Sequence, residues 1–239
     1  VFNSQTTRQA VESLIGSVER CVVAVPGADR LRPSLTEVQI VERARMPGPL
    51  RLVFVGNVIR RKGLHGLLDA LAGLRHVFDW QLDVVGSHTV EPRYCRAIRR
   101  QAESLGLSAQ VNWRGWLSDS ALADCLASSH VLAVPSTYEG FGIVYVEGFG
   151  FGLPALATTA GAACEVIAPG RDGWLVPPED AQAMRECLLE VLGDRERLIE
   201  LGLAALAHYR AHPTWAQSTK AIGEFLSQMV ESPVGVPTS

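Results

Sequence analysis

The sequence predicts an α/β fold, a parallel sheet with helices on both faces. Three observations lead there. Short, mostly apolar runs alternate with longer amphipathic stretches through the middle of the chain. The clearest runs close on a turn-forming residue: RLVFVG at 51–56, WQLDVVG at 80–86 and HVLAVP at 130–135. Each stretch between them is long enough to carry a helical crossover. Right-handed crossovers bring the C-terminal ends of all strands to one sheet edge, where such folds bind ligands. The loops after Val55, Val85 and Val134 are therefore expected to line one crevice.

The elements follow in order. Residues 3–15 suggest a helix and 22–25 a short strand, and PGAD at 26–29 signals a turn or linker. After the strand at 51–56, residues 62–74 read as an amphipathic helix with Leu64, Leu67, Leu68 and Leu71 on one side. The strand at 80–86 precedes a helix over 91–105 and a short strand at 110–113. Ser118 caps a helix over 118–127. A Gly-rich helix at 143–150, strands at 154–158 and 173–176, and helices over 180–192 and 194–209 complete the pattern. Beyond about Glu231, Pro233, Gly235 and Pro237 predict a frayed tail.

Composition bounds the function. The 239 residues suffice for one large domain, or one domain plus a fragment. Hydrophobic residues make up 47% and charged residues 20%, which excludes wholesale disorder. With 22 basic and 25 acidic residues the net charge is −3, so nothing draws the whole chain to nucleic acid. The five cysteines are scattered without a CxxC pair, as small core residues in a reducing compartment would be. The histidines show no HxxxH spacing; His208 and His212 are four apart, but Pro213 follows, and no metal site is read. Arg93, Arg96, Arg99 and Arg100 form a run on one helix, read first as a solvated face and second as a membrane-facing patch. No apolar run is long enough to span a bilayer, and no signal peptide is visible.

The chemistry concentrates in STYEGFGIVYVEG at 136–148, which follows a strand and opens a helix. Gly140 and Gly142 allow close backbone approach, and the free N–H groups of the helix start suit an anion. Glu139 lies just before the helix and Glu147 about one turn inside it. Carboxylates beside an anion site make sense as acceptors for hydroxyls, and a nucleotide sugar offers both a diphosphate and hydroxyls. Across the crevice, GNVIRRKG at 56–63 places Lys62, with Arg60 or Arg61, to neutralise a diphosphate. A cation at a helix start opposes the helix dipole, which points to an anion nearby. The loop is neither GxGxxG nor GxxxxGK[ST], so a dinucleotide cofactor and a P-loop are both disfavoured.

On these two motifs the chain resembles the C-terminal, donor-binding half of GT-B-fold retaining glycosyltransferases of family 4, the glycosyl transferases group 1 family. Glu139 and Glu147 reproduce its Glu, seven residues, Glu signature, and Lys62-Gly63 its Lys-Gly. Gly152-Leu-Pro154, Gly161, Glu165 and GWLV at 173–176 follow the same order. PGAD at 26–29 resembles the linker between its halves, and Thr214-Trp215 the start of its last helix.

The resemblance implies a Rossmann-like nucleotide-sugar-binding domain over 49–210. It also implies the end of an N-terminal acceptor domain at 1–25, a linker and lead-in at 26–48, a cross-over helix at 211–230 and a flexible tail at 231–239. Glu147 would bind ribose hydroxyls and Glu139 hydroxyls of the transferred sugar. Gly140 would line the nucleotide-sugar site, and backbone amides at Phe141, Gly142, Ile143 and Val144 would hold the diphosphate. Lys62 would stabilise the leaving group, beside Gly56, and the base would pack near Trp116. Two positions depart from the family: Asn57 stands where Arg is usual, which leaves Arg60 and Arg61 as the candidates for that role, and Gly148 stands where Ala is common. The implied donor is a UDP-, GDP- or ADP-sugar, with no metal or other cofactor expected. The implied acceptor, a glycan, lipid-linked or small molecule, would sit on the missing N-terminal half, so the isolated piece would be inactive. The implied location is cytoplasmic, with peripheral contact at the inner face of the membrane allowed. The alternatives are a non-catalytic nucleotide-sugar-binding module and an NDP-sugar epimerase of the same fold.

Overall fold

The computed structural model describes residues 1–231. Six strands form one sheet: β1 (Leu50–Val55), β2 (Trp80–Val85), β3 (Val111–Gly115), β4 (Val131–Ala133), β5 (Ala155–Thr158) and β6 (Gly173–Val176). Their order is β3-β2-β1-β4-β5-β6 and every pairing is parallel. The order reverses between β1 and β4. Crossovers on the β1-β2-β3 side and on the β4-β5-β6 side thus go to opposite faces, leaving a crevice where they part. The strands are buried because both faces are covered: Leu52, Val53 and Phe54 of β1 and all of β4 are essentially solvent-free. Each of the Leu, Val and Phe side chains among them contributes about 1.5–3 kcal/mol of apolar burial.

Ten helices surround the sheet among the described residues: α1 (Gln5–Ile15), α2 (Glu37–Arg45), α3 (Leu64–Ala72), α4 (Pro92–Ser104), α5 (Asp119–Ser128), α6 (Ile143–Gly150), α7 (Ala163–Val166), α8 (Ala181–Leu192), α9 (Arg195–Ala211) and α10 (Trp215–Glu231). α3 packs on α4 and α8, while α9 packs on α2 and α6. Most elements lie where the sequence puts them, and the exceptions are informative. Residues 22–25 form no strand; Val23 makes an isolated bridge to Phe2. The helix expected from residue 62 begins at Leu64, because Arg60–Lys62 is a separate 3-10 turn. α2 falls inside the stretch read as linker and lead-in. Its signal was present: Thr36 and Gln39 form a full capping box. α7 is a single turn too short to leave a periodic pattern. The tail expected to fray beyond about 231 lies outside the described residues.

The sheet edge opposite the crevice is stitched by cations. Arg43 of α2 is buried and meets no carboxylate among the described residues. Its guanidinium donates to the carbonyls of Phe151 at 2.9 Å, Gly152 at 3.0 Å and Ala127 at 3.1 Å. These carbonyls lie at the C-terminal ends of α5 and α6, where the dipoles favour a cation. Burial, with the nearby Arg51, lowers the Arg43 pKa to about 10. Beside it, His130 accepts the Arg51 backbone N–H on Nδ1 at 2.9 Å, and its Nε2 lies 3.1 Å from the Arg43 carbonyl. That pattern requires the neutral ring with the proton on Nε2. Burial and the Arg51 charge lower the His130 pKa to about 3.

Replacing Arg43 by Met leaves these carbonyls without their donor. The expected loss is about 2–4 kcal/mol, measured by equilibrium denaturation; a loss below about 0.5 kcal/mol contradicts the bridging role. His130 makes stability depend on pH. The folded ring takes a proton near pH 3 and the free ring near 6.5. Between those values the unfolded chain binds more protons, so this contribution is complete above 6.5 and drains away as pH falls toward 3. The slope for one group is at most about 1.4 kcal/mol per pH unit. His88 and His212 are lowered by burial as well and add slope of the same sign. His130→Gln is therefore expected to flatten the curve between pH 6.5 and 4.5 without abolishing it; an unchanged slope rules out the buried neutral ring as the cause.

Candidate functional site

The two sequence motifs meet at the topological switch point. The 3-10 turn after β1 docks onto the loop after β4. The Thr137 N–H donates to the Arg61 carbonyl at 2.8 Å, and the Arg61 guanidinium bonds the Tyr138 carbonyl. Gly63, at φ 70°, ends the turn against Pro135. A Cβ at Gly63 would lie 2.0 Å from the Pro135 carbonyl oxygen, so only glycine permits both the left-handed backbone and the close crossing. The loop after β4 turns again at Gly142, which caps α6 with φ 92° and ψ 43°. The Tyr145 ring lies over Gly142 and leaves no room for a side chain. The Tyr145 hydroxyl donates to the Val134 carbonyl at 2.8 Å, tying the end of β4 to the first turn of α6. The N–H groups that open α6 at Ile143 and Val144 have no carbonyl one turn earlier.

Glu139 is the hub of the crevice. It is 7% exposed, so it is not the solvated loop carboxylate that an arbitrary glutamate would be. Lys62 Nζ bonds its Oε1, the Ser136 hydroxyl donates to the same oxygen at 2.7 Å, and Arg61 lies 3.8 Å from Oε2. The anion that offsets the cation ahead of α3 is thus supplied by the chain itself. The Glu139 carbonyl accepts the Ala162 N–H at 2.7 Å, and Gly161 bridges to Glu139 in parallel. The loop after β5 therefore closes the far side.

Glu147 is also 7% exposed and projects from α6 toward the linker, where Arg30 Nε donates to its Oε1 at 2.9 Å. Arg30 also bonds Asp119 in the first turn of α5. The Glu147 bond, acting against desolvation, holds the Arg30 pKa above its ordinary value. α1 reaches the same rim. Ser4 and Thr7 hydroxyls donate to the Gly140 carbonyl at 2.7 and 3.1 Å. Glu165 accepts the N–H groups of Gln5 and Thr6 at 2.9 and 2.6 Å. Burial pushes the Glu165 carboxyl up, but the bonds from Thr6 and Gln5 outweigh it and leave the pKa below its ordinary value.

The other residues expected at the site divide. Gly56 lies under the Lys62 stem, with Lys62 Cε 3.4 Å from where a Cβ would be. Phe141 is buried against His212. Asn57 is exposed, and its carbonyl accepts the Ile59 N–H at 2.8 Å. Arg61 joins Glu139, whereas Arg60 lines a separate groove with Glu91, Tyr94, Arg93 and Arg96. Trp116 is 77% exposed in the loop after β3. At Gly148 an added Cβ would lie 2.7 Å from Leu132 Cδ2, so α6 sits closer to β4 than alanine allows. Arg30 and Ser136 are partners that the sequence reading missed. Ser136 stands three residues before Glu139 and was within local reach; Arg30 lies 117 positions from Glu147 and carries no local signal.

The chain matches the sequence profile of the glycosyl transferases group 1 family over residues 37–205. D-inositol 3-phosphate glycosyltransferase of Corynebacterium urealyticum is 30% identical over 226 residues, 90% of this chain and 52% of that protein. The GDP-mannose-dependent alpha-(1-6)-phosphatidylinositol monomannoside mannosyltransferase of Mycobacterium tuberculosis is 26% identical over 236 residues, 94% of this chain and 60% of that one. Among solved structures, Anabaena HepE in complex with UDP and glucose superposes with a TM-score of 0.82 at 25% identity, over 95% of this chain and 62% of HepE. The chain thus spans roughly half to three-fifths of these proteins. None of the described helices is long and apolar enough to cross a membrane. In its Rossmann-like sheet, its two loop motifs and its matched span, the chain is consistent with the C-terminal half of a GT-B enzyme, and it belongs to the glycosyl transferases group 1 family.

Proposed function

We propose that the chain is the donor half of a retaining glycosyltransferase that uses a nucleoside diphosphate sugar. One observation carries the reading: Lys62 pairs with a buried Glu139 where the turn after β1 meets the loop that opens α6, and Glu147, also buried, follows on that same helix. The diphosphate would lie against the amides of Gly140, Phe141, Gly142, Ile143 and Val144, with Lys62 and Arg61 facing it. Arg61 would serve where Asn57 carries no charge. Glu147 would receive the ribose hydroxyls and Glu139 those of the sugar, while the base packs near Trp116. The HepE complex and the donor named for the mycobacterial relative support a nucleotide sugar, and they differ in base.

In the reaction the bond between the anomeric carbon and the diphosphate oxygen breaks, and the electron pair leaves with the nucleoside diphosphate. An acceptor hydroxyl forms the new bond on the same face and releases its proton. The chain's contribution is preorganised charge where negative charge develops on the leaving group. No resident metal or cofactor is proposed, because Lys62, Arg61 and the helix start supply that charge. The acceptor, a glycan, lipid-linked or small molecule, would be bound by a second half. Residues 1–25 would be the end of that half, consistent with α1 bonding the rim at Gly140 and Glu165. The proposed location is cytoplasmic, with the exposed Arg93, Arg96 and Arg100 of α4 suited to an anionic membrane surface.

Calorimetric titration with UDP, GDP and ADP tests the donor site. One of the three is expected to bind saturably, and Glu147→Ala and Lys62→Ala each to weaken it about tenfold or more. A folded chain that binds none of them, or binds with no dependence on either residue, overturns the reading.

A further inference from the structure

Among the described residues Arg30 is the one basic side chain tied to Glu147, and it comes from the linker rather than the sheet. Its backbone is held on both sides. Asp29 accepts the Trp215 N–H of α10 on Oδ1 at 2.8 Å, and His212 Nε2 lies 2.9 Å from the Pro26 carbonyl. Gly27 passes so close to Trp215 that an added Cβ would lie 2.1 Å from its nitrogen. Leu31, directly after Arg30, is buried in the core. The side chain is therefore delivered from a fixed point. Its Nε engages Glu147 Oε1, and Nη1 bonds Asp119 in the first turn of α5.

The consequence for Glu147 is specific. One carboxylate oxygen is occupied, and Oε2 accepts no hydrogen bond from the described residues. A carboxylate at the end of a flexible side chain recognises a diol well only if its rotamer is already set. A guanidinium sets it through one directional, charge-assisted bond. Resting on the donor site proposed above, we infer that Arg30 is a positioning residue for the ribose: it fixes Glu147 by one oxygen and leaves the other for the 2′ and 3′ hydroxyls. The linker thereby becomes part of donor recognition without touching the donor.

Removal of the ribose hydroxyls separates this role from a general structural one. UDP, GDP and ADP and their 2′,3′-dideoxy counterparts are titrated into the wild-type chain and into Arg30→Ala and Arg30→Lys. The wild type is expected to prefer the ribonucleotide. Arg30→Ala is expected to lose about tenfold in affinity for the ribonucleotide while binding the dideoxy form as the wild type does, with Arg30→Lys between the two. Equal weakening of both forms by Arg30→Ala, or no weakening of either, overturns the inference. A wild type that binds both forms equally overturns the Glu147–ribose assignment itself, and the Arg30 role with it. A folded wild type that binds no nucleotide overturns the donor-site reading as a whole.

Discussion

The structure turns on the contact between the turn after β1 and the loop after β4, centred on Lys62 and Glu139. Both side chains are largely buried. Removing two charges from water costs several kcal/mol per ion, and their attraction offsets this only when geometry and additional bonds are good. Ser136 provides one such bond, and Arg61 stands close by. Such a pair is weak grounds for stability, since apolar replacements of similar volume often do as well. The proposed donor site gives it another role, as preorganised charge facing a diphosphate. The backbone is shaped to the same end: the crossing of Gly63 under Pro135 sets the height of Lys62, and the turn at Gly142 aims the start of α6.

The two edges of the sheet use buried charge differently. At the edge away from the crevice, Arg43 closes carbonyls at the ends of two helices and His130 stays neutral between backbone groups. These bonds join α2, α5, α6 and the starts of β1 and β4, and the outcome is cohesion. At the crevice edge, Glu139 pairs with Lys62 and Glu147 with Arg30, and both carboxylates are buried to 7% exposure. Substitutions at opposite edges, without shared partners, are expected to add independently. Stability and binding are thus separable in this fold even though both depend on arginines.

Much of this was legible in the sequence because it is local. The strands at 51–56 and 80–86 and the helix over 91–105 announce themselves by apolar runs and period, and the structure places β1, β2 and α4 on them. The spacing of Glu139 and Glu147 around two glycines was enough to mark a strand-loop-helix site. Other features were harder. The strand expected at 22–25 has the right residue types, but Val23 bridges only Phe2. The cation at Lys62 implied an anion, and the sequence could not say that Glu139, 77 positions away, would be the one. Arg30 shows the limit most clearly. A linker arginine looks like any surface charge until the fold brings α6 to it. The capping box of α2, by contrast, was readable and was overlooked for want of a strong apolar period.

The claim that everything else serves is that the face between β1 and β4 is where the donor binds. Hydrogen–deuterium exchange of the chain, with and without a saturating nucleoside diphosphate, reads that face directly. The account predicts added protection at the amides of 141–145 and through 56–63, with the lower edge around Arg43 and His130 unchanged. Protection confined to the groove of Arg60, Arg93 and Arg96, or none at 141–145 under saturation, would contradict it.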